Sequence, residues 1–141
     1  MSTQAQTTTA KTPPKGAATP PRKSLVFADG NRSLLETVGH LLDPAEYELR
    51  AARGGLEALC MVAERRPDFL FVDKACAGLD GFQLCALLKT REEYGALRVV
   101  LLADGMDLNE QVKAEALGAL GVLRKPFGRR ELLAILEGEH P

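Results

Sequence analysis

Residues 69–73 read Phe-Leu-Phe-Val-Asp, so four consecutive apolar side chains end on a carboxylate. A short, fully apolar run is typical of a strand buried on both faces. Working outward, further strands are indicated at 25–28, 46–51, 99–103 and 120–123. Helical spacing of apolar residues separates them at 34–42, between Gly54 and Pro67, and at 82–89, 108–117 and 130–136. Five strands alternating with five helices predict an α/β fold, with a parallel sheet covered by helices on both faces.

Composition and charge limit the class of protein. The 141 residues include 18 Lys and Arg and 19 Asp and Glu, which gives a formal net charge of −1. That balance argues against a dedicated nucleic-acid binder or DNA-binding domain, and no apolar run approaches the ~20 residues of a membrane span. The three cysteines, Cys60, Cys76 and Cys85, are odd in number and lack metal-site spacing. We therefore expect a cytoplasmic protein, with Cys60 and Cys85 packed in its core.

The first part of the chain differs from the rest. Residues 1–23 contain four basic residues, four prolines and no acid. Such a segment has too few apolar side chains to offset the entropy cost of ordering. We predict a disordered basic tail at 1–23 and one folded domain at 24–139. Within that domain, Leu56, Leu59, Cys60 and Ala63 are predicted to form the apolar face of the second helix.

Charged side chains follow three of the predicted strands. Asp29 comes directly after the first strand, Asp73 after the third and Lys125 after the fifth. Open parallel sheets bind ligands at the carboxyl ends of their strands, so these three groups are expected to converge there. A rigidly held carboxylate such as Asp73 can attack a phosphoryl donor. Asp29 can supply an oxygen ligand to Mg²⁺, and Lys125 can supply positive charge for the phosphoryl oxygens.

Several short strings carry a family resemblance. In chain order they are Phe71-Val72-Asp73, Leu79-Asp80-Gly81-Phe82, Gly118-Ala119, and Lys125-Pro126-Phe127 followed by Glu131-Leu132-Leu133. With these strings, the sequence resembles the receiver domains of two-component response regulators over about residues 24–139. The resemblance implies the flavodoxin-like strand order 2-1-3-4-5. It also implies a cis bond between Lys125 and Pro126.

The resemblance implies a signalling function rather than an enzyme. Asp73 would accept a phosphoryl group from a histidine kinase, with at most self-phosphorylation and self-dephosphorylation as chemistry. Asp73 and Lys125 would be the reacting and phosphate-binding groups, and Asp29, Asp73 and Ala75 would hold Mg²⁺, weakly because Ala28 replaces an acid.

The implied partners are proteins. They are a sensor histidine kinase or phosphotransfer protein, and an output protein bound on the face formed by helix 4, strand 5 and helix 5. A homodimer is a further option. The segment Leu79–Lys89 resembles single-domain receivers of the type IV pilus, twitching-motility chemosensory system.

The sequence also departs from the family pattern. Ala103 stands where the family has Thr or Ser at the end of strand 4, and Val122 stands where it has an aromatic switch residue. Cys76-Ala77 replaces the usual Met-Pro. Two hypotheses remain. Either Asp73 is phosphorylated and the signal leaves by a different motion, or the chain is a pseudo-receiver that binds partners regardless of phosphorylation.

Overall fold

Strands and helices alternate along the chain as the apolar pattern predicts. The structure, a computed structural model, describes residues 22–138. Their elements, in chain order, are β1 Lys23–Ala28, α1 Arg32–Leu41, β2 Tyr47–Ala52, α2 Gly55–Glu64, β3 Phe69–Asp73, α3 Gly81–Lys89, β4 Arg98–Ala103, α4 Leu108–Ala116, β5 Gly121–Arg124 and α5 Arg129–Leu136. A short 3₁₀ turn at Glu92–Tyr94 lies between α3 and β4. The predicted element order is therefore confirmed.

The strands form one parallel sheet in the order β2-β1-β3-β4-β5, which confirms the predicted topology. The central strand β3 pairs with β1 through Phe71 opposite Phe27, and with β4 through Phe71 opposite Val100. All four apolar residues of β3 are buried. The sheet therefore holds the carboxyl end of β3, and with it Asp73, at the middle of one edge.

Alternate residues along the strands enter two separate cores, because successive side chains of a strand point to opposite faces. On one face, Phe27 stacks on Phe71 with ring centroids 4.7 Å apart, in a cluster that includes Leu132 of α5. On the other face, Val26 and Val72 pack in a cluster that includes residues from α2, α3 and α4. Both faces of the sheet are covered, as predicted.

Of the four residues predicted to form the apolar face of α2, only Leu59 packs against the core, and the prediction is wrong for the other three. Leu56 is 65% exposed and Cys60 is exposed, whereas the buried residues of α2 are Gly55, Ala58 and Val62. Gly55 sets this orientation, because a Cβ placed on it would lie 1.9 Å from the carbonyl oxygen of Leu79. Nearly every residue of α2 is apolar, so the sequence pattern did not distinguish one face from the other. Cys85, in contrast, is buried as predicted.

The start of the folded part lies slightly before the predicted boundary. β1 begins at Lys23, two residues before the predicted strand at 25–28 and one before the predicted domain start at 24. The Lys23 Nζ donates a hydrogen bond of 2.6 Å to the carbonyl of Leu136, at the end of α5. Residues 1–21 of the predicted tail, and Glu139 at the other predicted boundary, lie outside the described residues. Between residues 22 and 138, no helix has both the length and the apolar character needed to cross a membrane.

Candidate functional site

The structure brings Asp29, Asp73 and Lys125 together at the carboxyl edge of the sheet. The Lys125 Nζ donates to Asp29 Oδ2 at 2.9 Å and also to Asp73 Oδ2. The other oxygen of each carboxylate, Oδ1, accepts a backbone N–H group. Asn31 N–H donates to Asp29 Oδ1 at 2.8 Å, and Ala75 N–H donates to Asp73 Oδ1 at 2.6 Å. Each carboxylate therefore has one oxygen held by its own loop and one shared with the lysine.

The three charged groups are shielded from water. The exposed fractions of the side chains are 4% for Asp29, 15% for Asp73 and 16% for Lys125. Burial alone would raise the pKa of Asp73, but the hydrogen bonds from Lys125 and from the Ala75 amide outweigh it and lower that pKa. Burial likewise opposes the charge on Lys125, but both carboxylates raise its pKa to about 12. At neutral pH the site thus holds a carboxylate at Asp73 and an ammonium at Lys125.

The loop after β3 fixes the main chain around Asp73. Asp80 caps α3 by accepting the Gln83 N–H at 2.8 Å, and the Gln83 Oε1 in turn accepts the Asp80 N–H at 2.9 Å. The next residue, Gly81, approaches so closely that a Cβ there would lie 2.9 Å from the carbonyl oxygen of Asp73. The start of α3 is therefore packed against the backbone of the candidate reacting residue.

Ala28 lies at the position where the resemblance implies a second acid. It is completely buried, and the Cys76 thiol donates to its carbonyl oxygen over 3.8 Å. Burial, and then the charge of Asp73, raise the pKa of Cys76 to about 11, so this side chain is a neutral thiol at pH 7. An apolar methyl group and a buried thiol therefore lie together beside the site.

Ala103 and Val122 line a cavity instead of supplying a hydroxyl group and an aromatic ring. Ala103 ends β4 and is 1% exposed, and its carbonyl accepts the Lys125 N–H at 2.8 Å. Val122, in β5, is half-buried. The cavity measures about 180 Å³ and is lined by Ala103, Gly105, Met106, Gln111, Val122 and Arg124. The space between α4 and β5 is thus only partly filled.

One ion pair at this edge was missed from the sequence. The Lys74 Nζ donates to both carboxylate oxygens of Glu110, at 2.8 and 2.9 Å. Lys74 directly follows Asp73, and Glu110 lies in the first turn of α4. The capping pattern of Asp107 followed by Glu110 was visible in the sequence. The partner of Glu110 was not, because it lies 36 residues earlier.

Cis geometry at Lys125–Pro126 agrees with the resemblance. The family model for the response regulator receiver domain matches residues 25–137. The chain belongs to the response regulator receiver domain family. This receiver domain is therefore part of a two-component signalling family and not of a family of catalytic enzymes. Membership implies a histidine kinase or a phosphotransfer protein as partner, and receiver domains bind Mg²⁺ at the phosphorylation site.

Three known proteins illustrate the relationship. The receiver domain is 30% identical over 117 residues to Protein PilG of Pseudomonas aeruginosa, which covers 83% of this chain and 87% of PilG. It is 33% identical over 110 residues to the response regulator MprA of Mycobacterium avium, covering 78% of this chain but only 47% of MprA. It therefore spans about half the length of that second relative. The structure of the Vibrio cholerae chemotaxis protein CheY4 matches with a TM-score of 0.78 and 26% identity, over 84% of this chain and 98% of CheY4.

Proposed function

We propose that this receiver domain is a working phosphoacceptor. Asp73 takes a phosphoryl group from a histidine kinase or a phosphotransfer protein, and the phosphorylated domain relays the signal through contacts with another protein. The observation that carries the proposal is the contact of Lys125 with both carboxylates at the edge of the sheet. Departures at Ala28, Ala103 and Val122 leave this arrangement intact.

The chemistry requires little more than these residues. An oxygen of the Asp73 carboxylate forms a new bond to phosphorus while the bond from phosphorus to the donor breaks, and the leaving group keeps that electron pair. Lys125 balances the negative charge on the phosphoryl oxygens as they transfer. The lowered pKa of Asp73 keeps the attacking carboxylate ionised at neutral pH, and the raised pKa of Lys125 keeps the ammonium charged.

Mg²⁺ fits the oxygen atoms at this edge. Asp29 and Asp73 would hold it together with Ala75, and Mg²⁺ typically uses one or two carboxylates and keeps several waters. Between residues 22 and 138, no three His, Cys, Asp or Glu side chains are grouped as metal ligands, so the two carboxylates would have to be completed by the Ala75 backbone and by water. When bound, the ion would supply positive charge to the phosphoryl oxygens. We propose weak binding, because Ala28 supplies no carboxylate.

The output protein is proposed to dock on the face formed by α4, β5 and α5. On α4, Leu108 is 73% exposed and Val112 is 57% exposed, so this helix presents apolar area to a partner. A homodimer through the same face is a second possibility for these side chains. The resemblance of Leu79–Lys89 supports a place in type IV pilus signalling and twitching motility, in the cytoplasm.

Intact-mass measurement tests the phosphoacceptor directly. The full chain is incubated with Mg²⁺ and acetyl phosphate, alongside the Asp73→Asn variant as control. We expect a phosphate-sized mass gain in the wild type alone, with the folded state of both proteins checked by circular dichroism. A folded wild type that gains no mass would contradict the proposal and would favour the pseudo-receiver. A gain in both proteins would place the modification at a residue other than Asp73.

A further inference from the structure

The ion pair between Lys74 and Glu110 joins the candidate phosphoacceptor to α4. Lys74 is the residue after Asp73, and its backbone N–H donates to the carbonyl of Leu102 at 2.9 Å. Its side chain leaves the sheet for α4, where the Nζ contacts both oxygens of Glu110. The side chains are 22% and 33% exposed, so water screens this pair less than a fully exposed one.

Glu110 also organises the start of α4. Its Oε1 accepts the Asp107 N–H at 3.2 Å, while the Asp107 Oδ1 accepts the Glu110 N–H at 2.8 Å. Lys74 therefore binds the side chain that completes the helix cap. The hydrogen bond from Lys74, followed by that from the Asp107 amide, lowers the pKa of Glu110. A displacement of Lys74 would therefore disturb the Glu110 carboxylate and, through it, the cap of the first turn of α4.

The two flanks of α4 differ. On the flank towards α3, two cations hold the helix, because the Lys113 Nζ also lies 4.5 Å from the ring centroid of Phe82. On the flank towards β5, the helix borders the cavity of about 180 Å³ beside Ala103 and Val122. Gly105, in the loop before α4, has no atom within 4 Å of a Cβ placed on it. The helix thus has an anchor on one side and free volume on the other.

We propose that Lys74 and Glu110 are positioning residues that couple phosphorylation of Asp73 to the position of α4. They act in place of the hydroxyl group and the aromatic ring that positions 103 and 122 do not supply. The inference rests on the proposed function, because it requires a phosphoryl group on Asp73. It identifies the motion by which the signal leaves the site.

Electrostatics gives the coupling its direction. Phosphorylation converts a carboxylate with one negative charge into an acyl phosphate that carries between one and two. At equal metal occupancy, the phosphorylated site is therefore more negative than the unmodified one by up to one charge. This charge lies on the residue before Lys74 and attracts the Lys74 ammonium away from Glu110. The Asp73 carboxylate also accepts the Ala75 N–H, so a phosphoryl group on it would weaken the hydrogen bond that holds the backbone after β3. Without Lys74, the first turn of α4 loosens and the helix shifts towards the cavity.

Hydrogen–deuterium exchange across α4 tests this coupling without a partner protein. Exchange is followed at residues 108–116 with and without acetyl phosphate and Mg²⁺, at a phosphorylated fraction measured by intact mass. In the wild type, we expect phosphorylation to accelerate exchange across α4 by roughly two- to fivefold. In Lys74→Met and Glu110→Gln, exchange should already be fast, and phosphorylation should add little. Lys74→Arg keeps the cation and should restore the response.

A matched control pair lies elsewhere on the molecule. The Arg65 Nη1 lies 2.7 Å from the Glu48 Oε1, and this ion pair links the end of α2 to β2, away from α4. Glu48→Gln should leave the response of α4 to phosphorylation as in the wild type. A wild type that gains phosphate with no change in α4 exchange would overturn the inference alone, as would a Lys74→Met protein that keeps the full response. A wild type that gains no phosphate would overturn both the proposed function and the inference.

Discussion

Replacing Lys125 by Met should destabilise the fold, because it leaves two shielded carboxylates without their cation. In the wild type, one ammonium faces Asp29 and Asp73, so the three groups sum to −1. Lys125→Met leaves −2 in the same space. Methionine keeps most of the length of the side chain, so the change is mainly electrostatic. Asp29 suffers most, because its side chain is only 4% exposed.

The exposed fractions set the size of the effect. Removing one partner of a fully buried ion pair costs about 3–5 kcal/mol. Because the Lys125 and Asp73 side chains are 16% and 15% exposed, the lower end of that range applies. We therefore expect a loss of about 3 kcal/mol at pH 7, which corresponds to a fall of roughly 10 °C in Tm for a domain of this size.

Urea denaturation of four proteins distinguishes charge from packing: the wild type, Lys125→Met, Asp73→Asn and the double variant. Asp73→Asn leaves one carboxylate facing one ammonium and should cost less than about 1 kcal/mol. The double variant leaves a single unpaired carboxylate, so it should be more stable than Lys125→Met alone. A loss below about 1 kcal/mol in Lys125→Met, or strictly additive effects in the double variant, would refute this explanation.

Four further predictions follow from individual contacts. Gly55→Ala should lower stability by about 2–3 kcal/mol in thermal melts, because its Cβ would lie 1.9 Å from the Leu79 carbonyl oxygen. A Cβ at Gly39 meets nothing within 4 Å, so the control Gly39→Ala should be neutral or slightly stabilising. Equal losses of stability in the two variants would contradict this explanation. Because folding lowers the pKa of Asp73, its ionised form stabilises the fold above its ordinary pKa of 3.8, and this stabilisation is lost as the pH falls through the lower folded-state pKa. The free energy of unfolding of Asp73→Asn, measured by denaturation, should therefore fall less steeply than that of the wild type between pH 5 and pH 2. Deleting residues 1–21 should leave Tm nearly unchanged, whereas a deletion through Lys23 also removes its contact with Leu136 and should lower Tm measurably; a large loss from the shorter deletion would show that the tail contacts the domain. Ala28→Asp adds a carboxylate beside Asp29 and should lower the Mg²⁺ concentration needed for half-maximal phosphorylation by acetyl phosphate, and an unchanged Mg²⁺ requirement would show that position 28 does not face the metal.

The sheet was predictable because its strands carry a strong local pattern. The apolar run ending at Asp73 is typical of a buried strand, and strands that alternate with helices imply parallel pairing. The charged groups at the strand ends then follow from topology, since the carboxyl ends of parallel strands meet at one edge. This is why the sequence alone predicts that Asp29 and Lys125, 96 residues apart, lie together.

The sequence did not predict features that depend on how separate elements pack against each other. In α2, apolar residues surround the helix, so the buried face was decided by the close approach of Gly55 to Leu79. The pairing of Lys74 with Glu110 depends on how α4 packs beside the β3–α3 loop, and no spacing within either segment encodes it. A cavity beside Ala103 and Val122 was equally hidden, because small residues in two different strands leave free volume only when their neighbours are fixed.

With Ala28 in place of an acid, the site carries one negative charge fewer than the resemblance implies, and phosphoryl transfer remains feasible at this charge. Asp29, Asp73 and Lys125 sum to −1, and a bound Mg²⁺ would bring the total to +1. Phosphorylation adds up to one negative charge, so the metal-bound, phosphorylated site would be close to neutral. Without the metal, the same site would approach −2 inside a shielded pocket, which is costly. The metal is therefore expected to bind less tightly than in a site with one more acid and to matter more once the phosphoryl group is present. Lys125 can meanwhile hold both carboxylates in the unmodified protein.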